Sequence, residues 1–430
     1  MTPTSSIAPR LTNALWGLFA GDALAMPAHW YYRRDNIRED FAGGITCYTA
    51  PPHPHPEAFM IGMSYQPDVE AARLNGRIYD ILGDHSRFYR TSYSGEPSIA
   101  LTDTESEHGN TVATPKERYH YHHGLPAGAN TLGARLVRVL LRSIAARGRY
   151  DEDDFLERFI AFMVDRGPRS DPYTEIYLRR WFENYAGGRP PADCAAHQRD
   201  TWSIGSLGGM VRPLVVALLG AGAAAESGNA AAFQPLGMAL EHQNLTHRAE
   251  NVSAAVSVTV PLLFDLLQGR DARTVLRKHA ARIRPPAVTG KELFRAYRDH
   301  DGPGGIPADE MWRLHTDLAP EPLDLARLEE KYGEDEVILE RFATACYPEH
   351  GLPLALDLAH RHDGDPRKAL LANANAGGDN VHRGMLLGLI VGAANVDFPR
   401  DMQTDLQDHE KLEEEIGEFV AVASATKRVY

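Results

Sequence analysis

The sequence contains little cysteine, no long hydrophobic run and fewer basic than acidic residues, and each shortage excludes a class of protein. Its 3 cysteines in 430 residues are Cys47, Cys194 and Cys346, whose spacing fits neither a disulfide framework nor a Cys-x-x-Cys metal site. No run of about 18 uncharged apolar residues occurs, and the first residues lack the basic and apolar segments of a signal peptide. We therefore expect a cytoplasmic protein with reduced thiols.

The charge balance excludes partners that need clustered positive charge. The chain has 45 Lys and Arg against 58 Asp and Glu, a net charge of −13, which opposes long-range attraction to nucleic acid or to anionic membranes. The hydrophobic fraction of 43% and the charged fraction of 24% are typical of a globular protein. We expect a small-molecule substrate as the partner, no nucleic acid and no membrane, and we leave a homo-oligomer open.

Apolar residues recur at helical spacing through most of the chain, for example at Leu132, Leu136, Leu140 and Ile144, and this spacing predicts an all-α fold. Helices are predicted over 11–26, 132–145, 152–165, 174–186, 208–219, 249–268, 273–281, 335–345, 352–361 and 383–396. Two stretches interrupt the pattern, about 43–126 and 284–325, and are interpreted as long loop insertions. They are candidate lids or oligomer contacts, with surface decoration as the alternative.

Small residues four positions apart mark two helices for close packing. They are Gly17, Gly21 and Ala25 in the first predicted helix, and Gly384, Gly388 and Gly392 in the last. Each set forms one stripe along its helix, and glycine inside a helix costs about 1 kcal/mol relative to alanine unless packing compensates. We therefore expect these two helices to lie together at the core, closing residues 1–430 as a single domain.

Four segments place glycine and small polar residues at helix ends: 17–30, 120–136, 205–214 with 245–255, and 373–394. Free backbone N–H groups at such ends can line one cleft. The motifs, in chain order, are Gly21-Asp22-Ala23-Leu24-Ala25, Met210 with Arg212 and Pro213, Leu245-Thr246-His247, and Gly377-Gly378-Asp379. In order and spacing they resemble the motifs of the ADP-ribosylglycohydrolases.

The resemblance implies a single large orthogonal all-α domain that hydrolyses the N- or O-glycosidic bond joining ADP-ribose to a side chain or a small molecule. It also implies two Mg²⁺ ions held by a Thr-Asp-Asp-Thr turn, a glutamate and two aspartates. Here the turn aligns with Gly128, Ala129, Asn130 and Thr131, the glutamate position falls at or next to His29, and the last motif reads Asp379, Asn380, Val381, His382.

Asp379 is the one carboxylate left at these ligand positions, since Asp22 is not usually a direct ligand in the family. Mg²⁺ prefers several oxygen ligands. We therefore do not expect the two-Mg²⁺ centre, unless acids of the first insertion such as Asp103, Glu105 or Glu107 reach the site. Histidine at two former oxygen positions suggests instead that Zn or Fe could bind.

The same residues could act without a metal. We predict Asp379 as a general base or orienting group, with His382 and His29 as its acid–base partners. A capping or buried structural role is the alternative for either histidine. His120, His122 and His123 precede the second motif and could contribute to the site or lie on the surface.

Residues around these three are predicted to bind the substrate. They are Asp22, Gly128, Asn130, Thr131, Gly377, Gly378, Asn380 and Arg383. The glycines would face a diphosphate at helix N-termini, Asn130 and Thr131 would contact ribose hydroxyls or cap a helix, and Arg383 would add a charged contact or form an ion pair. Tyr173, Tyr177 and Trp181 form an aromatic stripe, which we assign to core packing in preference to base stacking.

The predicted function is hydrolysis of a ribosyl N- or O-glycosidic bond in a small nucleotide-like or sugar-like molecule. Two alternatives remain open. One is an inactive ligand-binding or structural member, like the family's crystallin relative, because losing ligands removes chemistry but not the fold. The other is ordinary Mg²⁺-dependent hydrolysis of ADP-ribosylated arginine or serine.

Overall fold

The structure is a computed structural model that describes residues 7–57, 65–82, 104–105, 111–112, 119–165, 171–227, 235–299, 310, 313–314 and 316–425. The predicted all-α fold is confirmed, since the strands of this part of the chain are two pairs of two residues each. The acids Asp103 and Glu107 lie outside the described residues, as does the side chain of Glu105.

The described residues form helices from near the start of the chain to near its end. They are α1 (Ala8–Ala25), α2 (Arg34–Asp40), α3 (Val69–Leu74), α4 (Leu132–Arg147), α5 (Glu152–Val164), α6 (Ile176–Ala186), α7 (Val211–Ser227), α8 (Pro235–Thr246), α9 (Glu250–Leu267), α10 (Ala272–Ala280), α11 (Gly290–Asp299), α12 (Leu325–Lys331), α13 (Glu334–Glu336), α14 (Pro348–Arg361), α15 (Pro366–Ala376), α16 (Asn380–Ala394), α17 (Arg400–Thr404) and α18 (His409–Ala423).

Short elements connect them. The 3-10 turns are Met26–Ala28, Pro191–Asp193, Trp202–Ile204 and Leu207–Met210, and Val337–Arg341 forms a π turn. The strands are β1 (Thr104–Glu105), β2 (Thr111–Val112), β3 (Ala196–His197) and β4 (His247–Arg248). β1 pairs antiparallel with β2, and β3 pairs parallel with β4.

The first helix and the glycine-rich helix near the end of the chain pack directly against each other. A Cβ atom added at Gly17 would collide with the carbonyl group of Gly388, and one added at Gly388 would collide with that of Gly17. Gly21 and Gly384 face each other in the same way. The backbones of α1 and α16 therefore approach more closely than any larger residue would allow, as the two glycine stripes predict.

The remaining long helices enclose this pair. α9, α14 and α15 pack on α16, while α4, α7 and α18 contact α1. Most of the buried apolar side chains form one large contiguous cluster that runs from Ile7 to Ala423. Burial of this apolar surface is the main force that holds the helices together.

Aspartate side chains fix where several helices begin. Asp151, Asp271 and Asp365 each accept a hydrogen bond from the backbone N–H three residues later, at the N-caps of α5, α10 and α15. These contacts satisfy N–H groups that have no partner inside the helix. The same kind of contact positions one of the predicted site residues, because Asp379 is the N-cap of α16.

One helix in the described part, α9 (Glu250–Leu267), is long and apolar enough to cross a membrane by length and composition. Its residues are 56% buried inside the fold, and it packs against α7, α8, α10 and α16. These contacts are those of a core helix.

The two predicted insertions are not free of helices. The segment 43–126 contains α3, and the segment 284–325 contains α11 and ends where α12 begins. In α11 the side chain of Leu293 is 1% exposed, and Glu292 accepts hydrogen bonds from the backbone N–H and hydroxyl of Thr289. Both helices are short, with 6 residues in α3 and 10 in α11.

Candidate active site

Three predicted site residues meet in the structure, because His29 and His382 both contact the same carboxylate oxygen of Asp379. His29 follows the 3-10 turn after α1, Asp379 is the N-cap of α16, and His382 lies in the first turn of that helix. Asp379 Oδ1 is 3.2 Å from His29 Nε2 and 2.7 Å from His382 Nδ1. None of the three residues is more than 3% exposed. The fold thus brings residues from opposite ends of the sequence into one buried cluster.

A short backbone pairing holds the end of α1 beside the start of α16. Gly378 N donates to Tyr31 O at 2.6 Å, and Trp30 N donates to Gly378 O at 2.8 Å. Gly377 and Gly378 have φ angles of 67° and 62°, which glycine adopts at little cost. A Cβ atom at Gly377 would collide with the carbonyl of Tyr31. The two glycines therefore permit the close approach that positions the cluster.

Hydrogen bonds lead from His29 to a second carboxylate. His29 Nδ1 lies 2.6 Å from His122 Nε2, and His122 Nδ1 lies 2.8 Å from Asp171 Oδ1. Asp171 also accepts the backbone N–H groups of Leu132 at 2.7 Å and Tyr173 at 3.1 Å. His122 and Asp171 are buried. The backbone thus fixes the carboxylate that orients His122.

A third carboxylate lies on the other side of the cluster. His382 Nε2 is 3.4 Å from Glu175 Oε2, and Glu175 Oε1 accepts a hydrogen bond of 2.8 Å from Ser206. A Cβ atom at Gly208 would lie 2.6 Å from Glu175 Oε2 and 2.7 Å from His382 Cδ2, so a larger residue here would have to displace these side chains. Six buried side chains thus form one series of acids and imidazoles: Asp171, His122, His29, Asp379, His382 and Glu175.

The charges around the cluster shift the pKa values of its two central imidazoles, His29 and His382, in opposite directions. Burial lowers the pKa of His29 to about 3, although Asp379 opposes the shift. Burial would also lower the pKa of His382, but the charges of Asp379 and Glu175 outweigh it and raise that pKa to about 10. Burial would raise the pKa of Asp379, but His382 and His29 hold it well below its usual range. Without a bound cation, a neutral and a protonated imidazole flank one carboxylate at neutral pH.

Asp22, Asn130 and Thr131, predicted to bind substrate, contact one another. Asp22 Oδ2 accepts hydrogen bonds from Asn130 Nδ2 at 2.9 Å and Thr131 N at 2.8 Å, and Asp22 Oδ1 accepts one from Thr131 Oγ1 at 2.6 Å. Burial raises the pKa of Asp22, against these hydrogen bonds. The contacts tie α1 to the start of α4, while a substrate role remains a prediction.

The other predicted binding residues also have partners within the protein. Arg383 donates to Asn373 Oδ1 and to Gly377 O, both at 2.7 Å. Asn380 Nδ2 donates to Ala374 O at 2.9 Å, so both side chains connect α15 with α16. Gly128 has a φ of 75°, and its carbonyl accepts the N–H of Gln407 at 2.9 Å.

Three members of the series were not among the predicted site residues. His122 belongs to a histidine run whose surface exposure was an open alternative, but His120 is 1% exposed and His122 is fully buried. Asp171 and Glu175 lie on either side of Tyr173, the first residue of the aromatic stripe, whose other members Tyr177 and Trp181 are core residues. These two acids beside the first aromatic residue were the available signal.

The cluster contains the donor atoms for a cation. One ligand atom each of His29, Asp379 and His382 lie within 4.8 Å of one another. This set of two nitrogens and one oxygen does not match two Mg²⁺ ions, which need several oxygen ligands each. Among the nearby carboxylates, Asp171 and Asp22 accept hydrogen bonds on both oxygens, so neither has an oxygen free of protein partners. The donor set formed by the described residues therefore does not fit a pair of Mg²⁺ ions.

Comparison with known proteins gives two matches of nearly full length. A family model described as ADP-ribosylglycohydrolase matches residues 3–428. A solved structure described as "ADP-ribosylglycohydrolase-related protein complex" is similar over 97% of this chain and 99% of that chain, with a TM-score of 0.50 and 17% sequence identity. At that identity the second match concerns the fold. No curated protein matches.

Proposed function

Because this chain belongs to the ADP-ribosylglycohydrolase family, we propose that it hydrolyses a ribosyl N- or O-glycosidic bond in a small nucleotide-like or sugar-like molecule, without the family's two Mg²⁺ ions. One observation carries the proposal. A single buried carboxylate, Asp379, contacts two imidazoles at the point where the first and last motifs of the family meet.

Glycosidic hydrolysis requires an activated water and a proton for the leaving group. The cluster supplies basic nitrogen and oxygen atoms for the first task and a protonated imidazole, His382, for the second. Asp379 orients both imidazoles. Asp171, acting through His122, and Glu175, acting on His382, hold the two rings in place. A rigid set of this kind keeps its groups in reacting geometry, which lowers the barrier to reaction.

The test is hydrolysis of ADP-ribosylated arginine, ADP-ribosylated serine and simple ribosides by the full-length chain. Asp379→Asn keeps the shape of the side chain but removes its charge, so we expect at least a roughly 100-fold loss of kcat/KM. Circular dichroism should show an unchanged helix content. Adding millimolar Mg²⁺ should leave the wild-type rate unchanged.

Asp265→Asn is the matched control. Asp265 is also a buried carboxylate, but it contacts Arg270, Lys278 and His279, so this variant should retain activity. Full activity in Asp379→Asn would exclude the assigned role. Binding of ADP-ribose by calorimetry without turnover of any substrate would instead identify an inactive binding protein, and neither binding nor turnover would identify a structural one.

A further inference from the structure

We propose that His29, Asp379 and His382 hold one divalent ion of the zinc or iron class. The inference deepens the proposed function, because it names what activates water there, but ion binding can be measured without any substrate. The three ligand atoms lie within 4.8 Å of one another and are buried. Two imidazoles and one carboxylate are a characteristic donor set for Zn²⁺ and Fe²⁺.

An unsatisfied anionic oxygen gives an independent reason. Asp379 Oδ2 is buried and has no hydrogen-bond donor among the described residues. Leaving a charged oxygen without a partner inside a protein is costly. A cation beside Asp379 would provide that partner, and this oxygen could join Oδ1 in coordinating it.

The surroundings of both histidines match those of metal ligands. Metal-bound histidines usually direct their second ring nitrogen to a carboxylate or another polar group, which fixes the ring. Here His382 Nε2 faces Glu175 at 3.4 Å. His29 Nδ1 contacts His122, whose other nitrogen contacts Asp171. One nitrogen of each ring is therefore held, and the other is directed at Asp379.

The test is metal binding by the full-length chain. The metal-free protein is titrated with Co²⁺ and followed by visible absorption, then challenged with Zn²⁺, anaerobic Fe²⁺ and Mg²⁺. We expect saturation at one ion per chain, displacement of Co²⁺ by Zn²⁺ or by an excess of Fe²⁺, and no displacement by Mg²⁺. Asp379→Asn should abolish stoichiometric binding.

Two milder variants cover the case in which Asp379→Asn does not fold. Asp171→Asn and Glu175→Gln alter carboxylates that would orient the histidine ligands without binding the ion themselves. Each variant should weaken Co²⁺ binding about 10- to 100-fold. His242→Gln is the control, since His242 is buried but contacts Tyr150 at 2.8 Å, and its binding should equal that of the wild type.

Absence of saturable Co²⁺ binding to the wild type, or equal binding by Asp379→Asn, would overturn the inference. The residues of the cluster would then be held together by hydrogen bonds without an ion. Ion binding without hydrolysis would count against the proposed function alone, whereas hydrolysis by a chain that binds no ion would count against this inference alone.

Discussion

Glu349 lies outside the series of six side chains at the candidate site, and we expect its charge to lower the stability of the fold. It lies in the first turn of α14 and accepts a hydrogen bond from Asn251 at 3.4 Å. Burial raises its pKa from 4.5 to about 7, against that hydrogen bond. Between these two pH values the folded chain therefore holds a proton that the unfolded chain releases. The free energy of unfolding must fall through this group as pH rises across that interval.

Glu349→Gln should remove this fall in the free energy of unfolding, because the neutral glutamine side chain resembles the protonated acid at every pH. At pH 8 we expect the variant to be more stable than the wild type by about 1–3 kcal/mol. The difference should shrink towards zero near pH 4.5. Urea unfolding of both proteins at several pH values measures it, and a difference independent of pH would contradict the assignment.

For single residues, the sequence predicted the centre of the candidate site but not the two carboxylates at the ends of the series. Asp379 and His382 follow a glycine pair within a motif, so their neighbourhood could be inferred along the chain. Glu175 and Asp171 reach the cluster through contacts between distant segments. No local pattern encodes such contacts, because they depend on how α4, α6 and α16 are arranged in space.

Among the helices, the glycine contact between α1 and α16 gives the sharpest test. Gly388→Ala places a methyl group where the carbonyl of Gly17 lies, and neither backbone can move without separating the two helices. We expect a loss of about 3 kcal/mol or more in the free energy of unfolding. Chemical denaturation monitored by circular dichroism measures this loss.

Gly417→Ala is the control for that variant. Gly417 also lies within a helix, α18, but a Cβ atom there would meet nothing within 4 Å. Because alanine favours the helix over glycine, this variant should gain up to about 1 kcal/mol. If the two variants lost the same stability, close packing would not explain the glycine stripe.

The elements that the sequence predicted well are those with strong apolar periodicity. Helix α5 runs over 152–164, within one residue of its prediction, and α9 over 250–267. Helices α8 and α15 were not predicted. α15 is rich in alanine and asparagine, so it has little contrast between its faces, and its burial results from packing against α1 and α16.

For the whole molecule, the single domain remains a prediction that calorimetry can test. The contact between α1 and α16 joins segments from opposite ends of the chain, and one apolar cluster includes both. We expect one thermal transition whose calorimetric and van't Hoff enthalpies agree. Two resolved transitions would show that parts of the chain unfold independently.

The pairing of α1 with α16 also sets an order of events during translation. A ribosome adds about 5–20 residues per second, so roughly 20–70 s pass between completion of the first helix and completion of its partner. During that interval the face of α1 that packs against α16 stays uncovered and is open to chaperones. The cluster at Asp379 cannot form earlier, so every newly made chain is without its centre until synthesis is nearly finished.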